Sequence, residues 1–170
     1  NQSELEKKQE QINHLLNEKQ SQFFSALKDL FNIDFSNNVY QGYLSIFNCN
    51  PRYPETKTFQ IYYKKDLPHM LGVAFHESLH FAFFTFCDQL EECKSLDKNR
   101  GPLWELSEIF NVIVLNLPQF QAILKQPEQL FYPDLKEKLE KVRVIWLKNE
   151  GDLRKFLQEI LDLMPIPEKD

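Results

Sequence analysis

His76, Glu77 and His80 stand together in the stretch His76-Glu77-Ser78-Leu79-His80, an H-E-x-x-H pattern. On a helix, residues four apart project from one face, so the two imidazoles point to a common spot. Neutral ring nitrogens placed in this way bind zinc, and the intervening glutamate then lies beside a coordinated water. The chain has 4 histidines in 170 residues. Chance alone produces such a pattern in roughly one chain in a hundred, so its surroundings decide its meaning.

Those surroundings are greasy. The run from Leu67 to Cys87 includes Met70, Leu71, Val73, Phe75, Leu79, Phe81, Phe83, Phe84 and Phe86, and is apolar on nearly every side. A helix of that kind belongs in the middle of a domain. Two histidines and a glutamate there cost free energy unless they have partners. Asp66 and Pro68 mark the start of the helix, Pro being suited to a first turn. Upstream, Val39 to Phe47 and Thr58 to Lys64 alternate in strand fashion. They are expected to pair as a hairpin across the Pro51- and Pro54-bearing loop. Downstream, Gly101-Pro102 opens a helix over Leu103 to Leu117 that carries Glu105 and Glu108. A catalytic zinc site keeps three protein ligands and one open position, and these two glutamates, on one helix face, are both candidates for the third. The other glutamate, or Asn111, can support a ligating imidazole from outside.

An H-E-x-x-H helix followed by a Glu-bearing helix resembles the gluzincin zinc metallopeptidases. Many of these carry P-x-W-L-x-E-G on the second helix, with the Glu as ligand. Pro102-Leu103-Trp104 matches the start of that stretch and Leu106-Ser107-Glu108 its L-x-E part. One extra residue lies between them, and Ile109 stands where the family has Gly. The resemblance covers residues 58–117 and favours Glu108 as third ligand, with Glu105 the second choice. It implies Zn2+ as cofactor, a peptide or protein substrate, and Glu77 as the general base. It also implies that the strand Thr58 to Lys64 is an edge pairing with extended substrate. Tyr62, Tyr63, His69 and Asn111 are candidate donors for the oxyanion. The metzincin extension is absent, because Phe83 and Phe86 occupy the positions where it needs Gly and His.

The remaining chain bounds the architecture. Apolar residues make up 42%, with 15 Phe, enough for a proper core. The net charge of −5 comes without a basic stripe, which argues against nucleic acid or an anionic membrane surface as main partner. The polar start Asn1 to Glu10 is no signal peptide, and the His- and Glu-interrupted apolar run is expected to be too polar for a membrane span. The chain is expected to be soluble, cytoplasmic or exported after signal removal. Cys49, Cys87 and Cys93 form no C-x-x-C pair and suggest neither a disulfide framework nor a zinc knuckle, with Cys87 and Cys93 expected as buried or half-buried thiols. A long helix is expected over Ser3 to Phe31, its first ten residues frayed or serving as a linker. Amphipathic helices are expected around Gln119 to Lys125, from Asp134 to about Lys148, and from Gly151-Asp152 to Met164-Pro165. The expected fold is therefore one α+β domain over 1–170, mostly helical. Its small antiparallel sheet (a hairpin near 39–64) packs on the H-E-x-x-H helix and the Glu helix, with 66–117 as the zinc-site core. At this length little chain is left for a second lobe to wall a deep cleft. The alternative function is thus a non-catalytic interaction domain with a metallopeptidase-like fold.

Overall fold

In the computed structural model, which describes residues 2–149 and 152–163, the helices are α1 (Gln2–Phe31), α2 (Leu67–Cys87), α3 (Gly101–Leu115), α4 (Pro118–Leu124), α5 (Lys136–Lys148) and α6 (Leu153–Leu163). The strands are β1 (Gln41–Ser45), β2 (Arg52–Tyr53) and β3 (Thr58–Tyr62). The fold is α+β and mostly helical, as expected. Residues 2–10 are helical, continuous with the rest of α1. Gly151, Met164 and Pro165, expected to bound the last helix, lie outside the described residues.

Helix α2 is central because nothing else would cover it. The Asp66 carboxylate accepts the His69 amide at 2.8 Å, and Pro68 occupies the first turn, where its missing N–H leaves no bond unmade. From there the helix packs against α1, α3, α4 and β3. Phe75 stacks on Phe23 of α1 at 4.0 Å between ring centroids, and Phe83 lies 4.7 Å from Phe110 of α3. Burying each such ring is worth about 1.5–3 kcal/mol. Against expectation, α2 is long and apolar enough to cross a membrane, yet 83% of its most apolar window is buried inside the fold. Its apolar surface is spent on protein neighbours.

The sheet departs from the expected hairpin. Its order is β1-β3-β2. β1 and β3 run parallel, with Gln41 opposite Thr58 and Ser45 opposite Tyr62, while β2 is the antiparallel neighbour of β3. A parallel pair needs a crossover of about a dozen residues. The connection 46–57 has that length and runs back as β2 along the far side of β3. Lys57, at φ 53, then closes a tight turn with its amide on the Pro54 carbonyl. β3 is therefore the middle strand and cannot be the substrate-pairing edge; the free edges belong to β1 and β2.

The register also aims one side chain. Phe59 and Ile61 of β3 point into the core, and Arg52 lies opposite Phe59, so the arginine shares the inward face and is directed at α2. Gly42 is also opposite Phe59, and a Cβ there would come within 2.8 Å of the Phe59 ring. On the far side, α3 packs on α5 and α5 on α6, with Trp146 edge-on to Phe156. Cys87 and Cys93 are buried, Cys49 is exposed, and all three are free thiols.

Candidate metal centre

One turn of α2 separates His76 from His80, and their Nε2 atoms lie 3.0 Å apart. From α3, Glu108 places Oε2 3.6 Å from His76 Nε2 and Oε1 3.5 Å from His80 Nε2. One donor atom from each of the three residues falls within 4.8 Å of the others, close enough to hold a metal ion. Glu105, the second-choice ligand, is elsewhere: it pairs with Lys138 of α5. Three residues advance a helix to about 60° short of a full turn. With α3 lying between α2 and α5, that offset sends Glu108 to one neighbour and Glu105 to the other.

The cluster is buried: His80 is 0% exposed, and Glu77 and Glu108 are each 5% exposed. Burial disfavours charge on every group here, and the neighbours decide who keeps it. For His76, burial works against the cation, but Glu108 and Glu128 outweigh it and lift the imidazole to about 10. Burial wins at His80, which is pulled down to about 3 and stays neutral. Glu108 also resists burial: the two histidines hold it well below the usual carboxylate range. Glu77, lifted by burial to about 6 against the pull of His76 and Arg52, is a carboxylate poised to exchange protons near neutrality. A metal ion entering this site must displace the proton on His76.

Two residues that contact the cluster carried no signal in the sequence. Glu128 Oε1 lies 2.9 Å from His76 Nδ1, the outer carboxylate that fixes a ligating imidazole's tautomer and orientation. A strap delivers it. Lys125 ends α4 in the left-handed region at φ 56, turning the chain back towards α2. Gln126 then donates to the Pro68 carbonyl at 2.8 Å, its amide lying over Gly72, where a Cβ would approach it to 2.8 Å. The Asn116 side chain brackets the Glu128 backbone, accepting from its N–H at 3.1 Å and donating to its carbonyl at 2.9 Å. The second residue is Arg52 of β2, whose Nη1 donates to Glu108 Oε1 at 3.0 Å and lies 3.9 Å from Glu77 Oε2. Sequence separations of 52 and 56 residues put both contacts beyond any local pattern.

The other candidate residues make local contacts. Asn111 supports no imidazole; its Nδ2 donates to the His76 backbone carbonyl at 2.9 Å, tying α3 to α2. His69 is held at the exposed start of α2 by Asp66, and Tyr62 and Tyr63 pack edge-on against each other. Tyr132 is the tyrosine whose electrostatics belong to the cluster: burial and then Glu108 push its phenol upward. It packs against Trp104, one turn before Glu108, at 4.9 Å.

No protein-family model, curated protein or solved structure matches this chain. Its chemistry must be argued from its own atoms. Among the described residues, buried side-chain polar atoms without a hydrogen-bond partner are Glu77 Oε2, His80 Nδ1, Arg52 Nε, Asn111 Oδ1 and Tyr40 Oη. All but the last lie in or beside the cluster. Native cores leave few such atoms, and their concentration here marks a site arranged to take up something from outside the chain. The donors also fit: two imidazole nitrogens and a carboxylate oxygen are a metal's ligands.

Proposed function

We propose that this protein is a zinc-dependent metallopeptidase. The observation that carries the proposal is the convergence of His76, His80 and Glu108 with Glu77 beside them on the same helix. Tetrahedral zinc with bonds of 2.0–2.1 Å spaces its ligand atoms about 3.3–3.4 Å apart. Here the two Nε2 atoms lie 3.0 Å apart, each has a different Glu108 oxygen near it, at 3.6 and 3.5 Å, and one donor atom from each residue fits within 4.8 Å of the others. Three protein ligands leave the fourth position open, as catalytic zinc requires. When bound, zinc supplies a water of lowered pKa and polarises the scissile carbonyl. Glu77, buried and without a hydrogen-bond partner on Oε2, would serve as the general base, accepting a proton from the attacking water and giving it to the leaving amine. Glu128 keeps the His76 ring oriented, and burial keeps the His80 imidazole neutral and able to ligate.

The free edge of β2, which bears Arg52, replaces β3 as the strand an extended peptide would pair with. The substrate class is accordingly a peptide or an unfolded protein segment. A non-catalytic binding role has one observation in its favour. A groove of about 730 Å³ lies between α1, β1 and α2 and includes none of His76, Glu77, His80 or Glu108 among its lining residues, so the metal cluster is not the floor of the roomy pocket.

Metal analysis with a peptide-library digest separates the two. The metallopeptidase carries near-stoichiometric zinc and cleaves unstructured peptides. Glu77→Gln retains the zinc and slows cleavage by about 10²–10⁴-fold, the usual loss with a general base. Cleavage unchanged in Glu77→Gln would remove Glu77 from the chemistry, and zinc binding without any turnover would favour the binding role.

A further inference from the structure

Arg52 is not explained by the donor set. We propose that it is the resident counter-cation of the metal centre: it carries the charge of Glu108 and Glu77 when no metal is bound and opposes a divalent ion when one binds. It thereby sets the site's metal affinity below what His76, His80 and Glu108 would give alone. This inference rests on the metal centre proposed above.

Three carboxylates gather around the two imidazoles: Glu77 and Glu108 buried, Glu128 with 21% of its side chain exposed. Like charges so close repel strongly in a low-dielectric interior. Among the described residues, Arg52 is the one lysine or arginine that forms an ion pair with any of them. Its position is built in. The register of β2 on β3 turns the side chain inward, and the guanidinium lies 5.9 Å from the centre of the Phe84 ring, within cation–π range. Only 12% of its side chain is exposed.

Two features make it more than a hydrogen-bond donor. The oxygen it holds, Glu108 Oε1, faces His80 Nε2, and the other, Oε2, faces His76 Nε2, so arginine and metal call on the same carboxylate. An imidazole can also yield to a metal by losing its proton, but a guanidinium cannot. Its positive charge stays in the site and repels whatever cation arrives. A neutral outer donor would instead reinforce the ligand it touches.

The test compares zinc-stripped wild type, Arg52→Gln and Arg52→Lys, with zinc dissociation constants from competition against a chromophoric chelator and Tm from thermal unfolding. Arg52→Gln should bind zinc about tenfold tighter or more, since the opposing charge is gone. Its zinc-free Tm should fall by on the order of 5 °C or more, because two buried carboxylates lose their cation. Arg52→Lys keeps the charge and should stay within about threefold of wild type in zinc affinity. Should Arg52→Gln fail to fold without metal, refolding in zinc should recover it, and failure to recover overturns the proposal. Unchanged affinity in Arg52→Gln also overturns it, as does a loss of about 10–100-fold, the mark of a supporting outer contact. In both of those cases the metal centre stands. A folded wild type that takes up no zinc overturns both.

Discussion

On the side of α2 that faces α3 and β2, His76, Glu77, His80, Glu108 and Arg52 lie within ion-pair or hydrogen-bond reach of one another. On the side that faces α1 and β1, a groove of about 730 Å³ is lined by Ile12, Leu16, Phe24 and Phe59, with amides such as Gln9 and Asn13 among them. The groove holds no comparable gathering of titratable groups. The cluster side concentrates charge where burial is costly, several kcal/mol per ion when partners are imperfect. Volume and chemistry are thus separated across one helix. The cluster side holds titratable groups together at a cost in stability, and the groove side is lined mainly by packing residues and uncharged amides.

That contrast predicts a double dissociation. The largest effect belongs to His80→Ala, which removes a ligand and opens a cavity beside Phe84. Zinc affinity should fall by more than the roughly 10–100-fold that loss of an outer partner costs. Gln9→Ala and Asn13→Ala, on the groove side, should leave zinc content by metal analysis at the wild-type level. If a groove substitution strips the metal, the separation of the two sides is false. Next in size is Glu128→Gln. It keeps a hydrogen-bonding amide near His76 Nδ1 but removes the charge, and zinc affinity should drop about 10–100-fold with little change in Tm. An unaltered dissociation constant would reduce the Glu128–His76 contact to a surface pairing.

The sequence announced the metal side in proportion to how local each contact is. His76, Glu77 and His80 lie within one turn and a half of a single helix, so their spacing alone puts them on neighbouring positions. Glu108 needed two helices to pack, and the sequence could only narrow the choice to two glutamates. What separated them was the packing of α3 against α5, which drew Glu105 to Lys138. Arg52 and Glu128 arrive from a two-residue strand and a strap, and their positions depend on sheet register and on the Asn116 bracket around the strap. The same limit explains the sheet. Alternating runs at 39–47 and 58–64 mark strands, but they look the same in a hairpin and in a parallel crossover. The short β2 that decides between them reads as loop in the sequence, because Pro51 and Pro54 flank it.

Smaller effects test the groove side. Gly42→Ala would press a methyl group into the Phe59 ring, at 2.8 Å before any adjustment, and Phe59 is only 3% exposed. Overpacking of that kind costs about 1–3 kcal/mol, to be measured by urea unfolding. Zinc affinity should not move, since β1 contributes nothing to the metal centre. A parallel loss of zinc would mean that the sheet transmits strain through Phe59 to Arg52, its cross-strand neighbour.

The weakest and most distinctive effect is at Tyr40, a groove residue whose phenol burial pushes up to about 12 from 10.0. The folded protein favours the neutral phenol. Its contribution to stability is therefore complete below pH 10 and is lost as pH rises from 10 towards 12. Allowing for partial exposure, the loss is on the order of 1 kcal/mol. Tyr40→Phe has no proton to give up, so across that range its unfolding free energy should fall by about that much less than the wild type's. If both proteins lose stability in parallel, the Tyr40 phenol is solvated and the groove is more open to water than its aromatic lining implies. A difference confined to pH 10–12, with zinc affinity equal in the two proteins, would show that an isolated titratable group on this side acts only on stability. That outcome would set the groove apart from the cluster across the helix, where moving one charge is expected to change metal affinity.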